Sequence, residues 1–127
     1  MAEESRRTDA GTSAREAPVA AVTHNDGSIV VSLAGELDLY NATTVREALI
    51  ECCSQTPDRL VVDLSAVTFI DSTALGVLIE ARSRMTNRRA FLLAAPGLET
   101  RRALEISGLD RHFAVHESLD GALHTTL

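Results

Sequence analysis

From residue 19 onward the apolar residues of this chain arrive in blocks of two different periods. Residues 19–23, 28–34, 60–64 and 90–94 are short aliphatic or β-branched runs, the pattern of strands, and the unbroken Leu60-Val61-Val62 predicts a strand covered on both faces. His24-Asn25-Asp26-Gly27 separates the first two runs. An Asp-Gly pair in that setting predicts a hairpin, because both residues tolerate positive φ. Residues 112–115 form a weaker last strand.

Between the later runs the period is helical. Ala42, Val45, Leu49, Cys52 and Cys53 share one face of a helix over 42–54, with Asn41 in the capping position and Pro57-Asp58 as the break after it. Residues 65–70 read as a connection from the central strand to Asp71-Ser72-Thr73. These three open a second helix whose Leu75, Leu78, Ile79, Arg82 and Met85 fall at i, i+3, i+4, i+7 and i+10 and form one stripe. At least one of the three caps it, since the first helical turn leaves N–H groups without acceptors. Pro96-Gly97 starts a third helix that ends at Ser107-Gly108, where Gly108 suits the left-handed closing position. Ser118 caps a last short helix that docks through Leu119, Ala122 and Leu123. The order β-β-α-β-α-β-α-β-α predicts an α/β fold. It is a single mixed β-sheet with an antiparallel edge, parallel crossovers elsewhere, and helices packed against it.

Composition narrows what such a fold can do. The 127 residues suit one domain over 18–127, preceded by a polar, aperiodic stretch over 1–17 that reads as a disordered arm. No run approaches the roughly 20 apolar residues of a membrane-spanning helix, and the start lacks a signal-type apolar segment, so the expected setting is cytoplasmic with no membrane partner. The net charge of −6 argues against binding nucleic acid, which calls for a basic face. All 12 basic residues are arginine, so lysine-dependent phosphate clamps, Schiff bases and receiver-type phosphotransfer are excluded. Cys52 and Cys53 are adjacent, which suits neither a mutual disulfide nor a metal site. No metal and no cofactor are expected.

Polar chemistry gathers where strands give way to helices, in two clusters. Glu36, Asp38, Tyr40 and Asn41 follow the second strand, and Asp71, Ser72 and Thr73 follow the third. If those strands are parallel neighbours, both clusters share one rim. A serine in the first turn of a helix is a favourable seat for phosphate, because free N–H groups and the positive dipole end face the dianion. Asp63, inside the central strand, reads as structural. Arg82, Arg84, Arg88 and Arg89 read as a solvated face at the negative end of the second helix.

The segments Gly35-Glu36-Leu37-Asp38, Val61-Val62-Asp63-Leu64, Phe69-Ile70-Asp71-Ser72-Thr73-Ala74-Leu75-Gly76 and Ile106-Ser107-Gly108-Leu109 together resemble the STAS-domain anti-sigma factor antagonists. The resemblance implies a STAS-like fold and no catalysis. It makes Ser72 the phosphoacceptor of an anti-sigma factor that is itself a serine protein kinase, with a serine phosphatase reversing the mark. It also implies that the unphosphorylated form binds the anti-sigma factor and releases a sigma factor, and that phosphorylation switches binding off. Partner contact is then expected from Asp38, Asp71, Ser72, Thr73, Glu36 and Tyr40, in a monomer or weak dimer. Thr73 stands where relatives carry Ser or Thr, and Ala74 replaces a common glycine.

Three other readings compete. Within the resembling family, the chain could be a scaffold or sensor subunit of a stress-signalling complex without a phosphorylation cycle of its own; the lack of a fused sensor or membrane part favours the free antagonist. A hydrolase using Ser72 lacks the glycines of a nucleophile elbow and a histidine placed as base. A receiver-like domain using Asp63 lacks the required lysine.

Overall fold

Asp26 (φ 51°) and Gly27 (φ 86°) both adopt left-handed backbone and close the hairpin between β1, Val19–Asn25, and β2, Ser28–Leu37. A side chain at Gly27 would meet the Asp58 carboxylate as well as the strain of its φ, which is why glycine stands there. The computed structural model describes residues 17–127; the expected arm over 1–17 falls outside them but for exposed Ala17. After the hairpin come α1 (Ala42–Ser54), β3 (Arg59–Ile70), α2 (Ser72–Ser83), a 3-10 turn at Arg88–Ala90, β4 (Phe91–Ala94), α3 (Leu98–Ser107), β5 (Ala114–His116) and α4 (Leu119–His124). The five strands form one sheet in the order β1-β2-β3-β4-β5, antiparallel between β1 and β2 and parallel elsewhere. This is the mixed α/β sheet that the pattern predicts.

The sheet is covered on both faces. Ile29, Val31 and Leu33 of β2 with Leu60, Val62 and Leu64 of β3 face α1, α2 and α3, and Val45, Leu49, Leu78 and Leu104 fill that layer. The intervening Val30 and Val61, with Leu92, face α4 through Ala122, Leu119 and Leu123. Arg59 fixes the end of α4 by donating to the carbonyls of Ala122 and Thr125. Cys52 and Cys53 are both free and buried, and the Cys53 thiol donates to the Ala81 carbonyl across the α1–α2 contact at 3.4 Å.

Four local expectations are corrected. The central strand does not stop at Leu64: residues 65–70 remain paired, with Ala34 opposite Ala66, Val67 opposite Gly35, and Leu37 opposite Ile70. Register shifts between Ser32 and Ala34 and between Gly35 and Glu36 break the two-residue alternation, so only Val67 and Ile70 are buried in this stretch and it reads as a loop. Asn41 occupies the N-cap position of α1 but makes no capping bond, because its side chain is used in the preceding turn. The buried stripe of α2 is Ala74, Leu75, Val77, Leu78 and Ala81, continued by Met85, whereas Ile79 is 38% exposed. The last strand begins at Ala114, after buried Phe113, rather than at residue 112. Gly108 closes α3 with φ 78°, as expected.

Candidate functional site

β2 and β3 are parallel and end level with each other, Leu37 beside Ile70. Their carboxyl ends therefore deliver both polar clusters to one rim. Asp71 joins them. Its backbone N–H donates to the Leu37 carbonyl (3.0 Å), its Oδ1 accepts from the Ala74 amide (3.0 Å), and its Oδ2 accepts from the Leu39 amide (3.2 Å). One half-buried carboxylate thus caps α2 and pins the neighbouring loop.

The loop is braced from within as well. Asp38 Oδ1 accepts from the Tyr40 amide (3.0 Å), Asn41 Oδ1 accepts from the Asp38 amide (3.0 Å), and Asn41 Nδ2 donates to the Glu36 carbonyl (2.8 Å). Side chains at 38 and 41 close the turn reciprocally, the usual work of Asp and Asn in such positions. Asp38 is half-buried, while Glu36 is exposed on the same rim.

Ser72 and Thr73 are the first two residues of α2, and both are exposed. Their amides belong to the first turn and have no intrahelical acceptor. A phosphate on the Ser72 hydroxyl would therefore sit in solvent at the positive end of a helix dipole, with carboxylates of the rim as near neighbours. The loops around these strand ends expose apolar side chains: Leu39 is 66% exposed, Tyr40 86% and Phe69 49%, and Leu98 (63%) begins α3 in the crossover that follows β4. Sequence reasoning named Tyr40 and passed over Leu39, Phe69 and Leu98. Phe69 was legible only once residues 65–70 are known to be strand, because it then pairs with exposed Glu36.

Behind the rim, α1 and α2 are bolted together by Arg46, which donates to both oxygens of Glu80 at 2.8 and 2.7 Å, with Arg84 adding a third bond at 3.1 Å. The Arg46 bonds hold the Glu80 carboxyl below the usual carboxylate range. None of the histidines reaches this rim. His24, next to the hairpin, bonds Gln55; His112 precedes β5; His116 lies on that edge strand, and His124 bonds the Asp120 carbonyl in α4. Ser72 accordingly has no histidine beside it to complete a Ser-His-Asp triad. Asp63 accepts from the Ser65 amide (3.0 Å), which accounts for it structurally. Among the described residues no group of three or more histidines, cysteines and carboxylates is arranged to hold a metal.

Comparison with known proteins identifies the family and the fold. The family model described as the STAS domain matches residues 19–122. The chain is 35% identical over 111 residues to the anti-sigma-F factor antagonist RsfB of Mycobacterium tuberculosis, a match covering 87% of this chain and 91% of that protein. It is 36% identical over 90 residues to the anti-sigma-B factor antagonist of Bacillus subtilis, covering 69% of this chain and 81% of that one. Its fold is similar to the crystal structure of an anti-sigma factor antagonist from Mycobacterium paratuberculosis, with a TM-score of 0.77 and 36% identity across 81% of this chain and 88% of that one.

Proposed function

This chain belongs to the STAS domain family, and from that premise we propose that it is an anti-sigma factor antagonist whose docking surface is the rim carrying Ser72. The observation that supports this most is the exposed Ser72 hydroxyl at the mouth of α2, flanked by exposed Leu39, Tyr40 and Phe69. Such a rim offers apolar contact area around a single modifiable oxygen. Aromatic and aliphatic side chains of this kind supply most of the energy in protein interfaces.

In this reading the partner is an anti-sigma factor with serine kinase activity. Docked on the rim, it transfers the γ-phosphoryl group of ATP to Ser72 Oγ; the serine proton leaves, and ADP is the product. The new group adds about −1.5 to −2 charge beside Asp71 and on the rim of Asp38 and Glu36. Held by the Asp71 clamp, the rim is rigid, so the charge acts by direct repulsion and desolvation of the partner more than by refolding. Release of the partner follows, and a serine phosphatase restores the binding form. The protein acts as a switched ligand in the cytoplasm, monomeric or weakly dimeric, with no catalysis of its own.

Titration of the candidate anti-sigma kinases with wild type, Ser72→Ala and Ser72→Asp tests the scheme. Wild type and the alanine variant should bind alike without ATP, and the aspartate variant should bind at least tenfold more weakly. Equal binding by all three would defeat it.

A further inference from the structure

At the opposite end of the sheet from Ser72, where β4 and β5 begin, lies a cleft of about 410 Å³. Its walls carry Arg82 from the last turn of α2, Arg88 and Arg89 from the 3-10 turn, Arg111 and His112 from the turn before β5, and His116 from β5 itself. No aspartate or glutamate side chain among the described residues lines it; Thr125, Thr126 and the C-terminal Leu127 complete the wall. Arg46 and Arg84 pair with Glu80, Arg102 pairs with Glu99, and Arg59 donates to two carbonyls. The four cleft arginines make no such side-chain bond among the described residues. Arg82 Nε is moreover buried without an acceptor. Leaving a guanidinium N–H so placed is unfavourable unless something supplies an oxygen.

Within a protein of net charge −6, four guanidinium groups around one concavity, without an ion-pair partner among the described residues, concentrate positive charge locally. Beneath them the buried rings of Phe91 and Phe113, with centroids 6.0 Å apart, fix the starts of β4 and β5, so the two walls are held on a rigid base. Guanidinium forks match the oxygens of phosphoryl groups in pairs, and their charge cannot titrate away. The cleft is larger than one monatomic ion requires. We infer that it is a binding site for a small anion bearing several phosphoryl groups, separate from the Ser72 rim. Four fixed positive charges favour such a ligand over a tricarboxylate, whose charge is lower and more spread out.

Inorganic tripolyphosphate is the probe, titrated calorimetrically into the full chain with sodium chloride holding ionic strength constant. Wild type should bind it at a single site, and Arg88→Gln with Arg111→Gln should weaken binding by at least tenfold. Arg102→Gln, which removes one positive charge from α3, should leave it unchanged, and citrate should bind at least tenfold more weakly than tripolyphosphate. Thermal midpoints without ligand establish that each variant is folded; both cleft substitutions are at exposed positions. Absence of binding by wild type, equal weakening by Arg102→Gln, or citrate binding as tightly as tripolyphosphate would overturn the assignment.

Discussion

Asp71 carries two separable tasks, and substitutions that remove one or both should be distinguishable in stability and in binding. Alanine deletes the cap on the Ala74 amide, the tie to the Leu39 amide, and a negative charge at the positive end of α2. A lost cap costs about 1 kcal/mol, a lost hydrogen bond about 1, and the charge–dipole contact about 0.5, so Asp71→Ala should lose about 2.5 kcal/mol. Asparagine keeps one oxygen, caps as well as aspartate, and gives up the tie and the charge, so Asp71→Asn should lose about 1.5 kcal/mol. For a chain of 127 residues, at about 3–5 °C per kcal/mol, these correspond to falls in melting temperature of about 8–13 °C and about 5–8 °C. Chemical denaturation followed by circular dichroism gives both values. Because Asp71→Asn frees the loop that presents Leu39 and Tyr40 while sparing the helix, it should also weaken anti-sigma factor binding more than its stability loss alone would. An asparagine variant as stable as wild type, or an alanine variant losing less than about 0.5 kcal/mol, would refute the two-task reading.

Tyr40 is 86% exposed, so Tyr40→Ala should change stability by less than about 0.5 kcal/mol yet weaken partner binding by about 1–2 kcal/mol in calorimetric titration. Thr100 is 1% exposed and its Oγ1 has no hydrogen-bond partner among the described residues, so Thr100→Val should raise stability by about 1 kcal/mol in the same denaturation assay. Burial pushes the Cys52 thiol up, and burial with the adjacent Cys52 pushes the Cys53 thiol up to about 11. Both should resist a thiol reagent at pH 8 in the native state and react once denatured. Since the folded value of Cys53 lies above its unfolded value near 9, its contribution to stability is complete below pH 9 and is lost as pH rises toward 11. A denaturation midpoint that stays flat across that interval would contradict the burial argument.

Much of the fold was legible because its determinants are local. Asp26-Gly27 announces positive φ on both residues, and the face of α1 predicted from Ala42, Val45, Leu49, Cys52 and Cys53 is the face that is buried. What stayed hidden depends on neighbours. The second half of β3 is strand because β2 runs alongside it, and two register shifts erase the period that would have marked it. Asn41 fails as a cap because Asp38 and Glu36 take both ends of its side chain, a competition visible only when the turn is folded. The rim itself was placed correctly from the order of elements, with Asp38 and Ser72 brought to the same end of adjacent parallel strands. Asp71 as the bond between loops was not legible, since a capping motif says nothing about the second carboxylate oxygen. The arginines at the far end of α2 read as a solvated face for a similar reason: Arg111 and His112 lie more than twenty residues away in sequence and meet them only across the starts of β4 and β5.

The central claim is that one hydroxyl at the start of α2 takes the phosphate that decides partner binding. The most direct measurement incubates the purified chain with each candidate anti-sigma kinase and ATP, then locates the added mass by fragmentation mass spectrometry. The account predicts a single phosphoryl group on Ser72, none on Thr73, and loss of the kinase complex in step with the modification. Phosphate on another residue, or a fully modified Ser72 in a complex as tight as before, would contradict it.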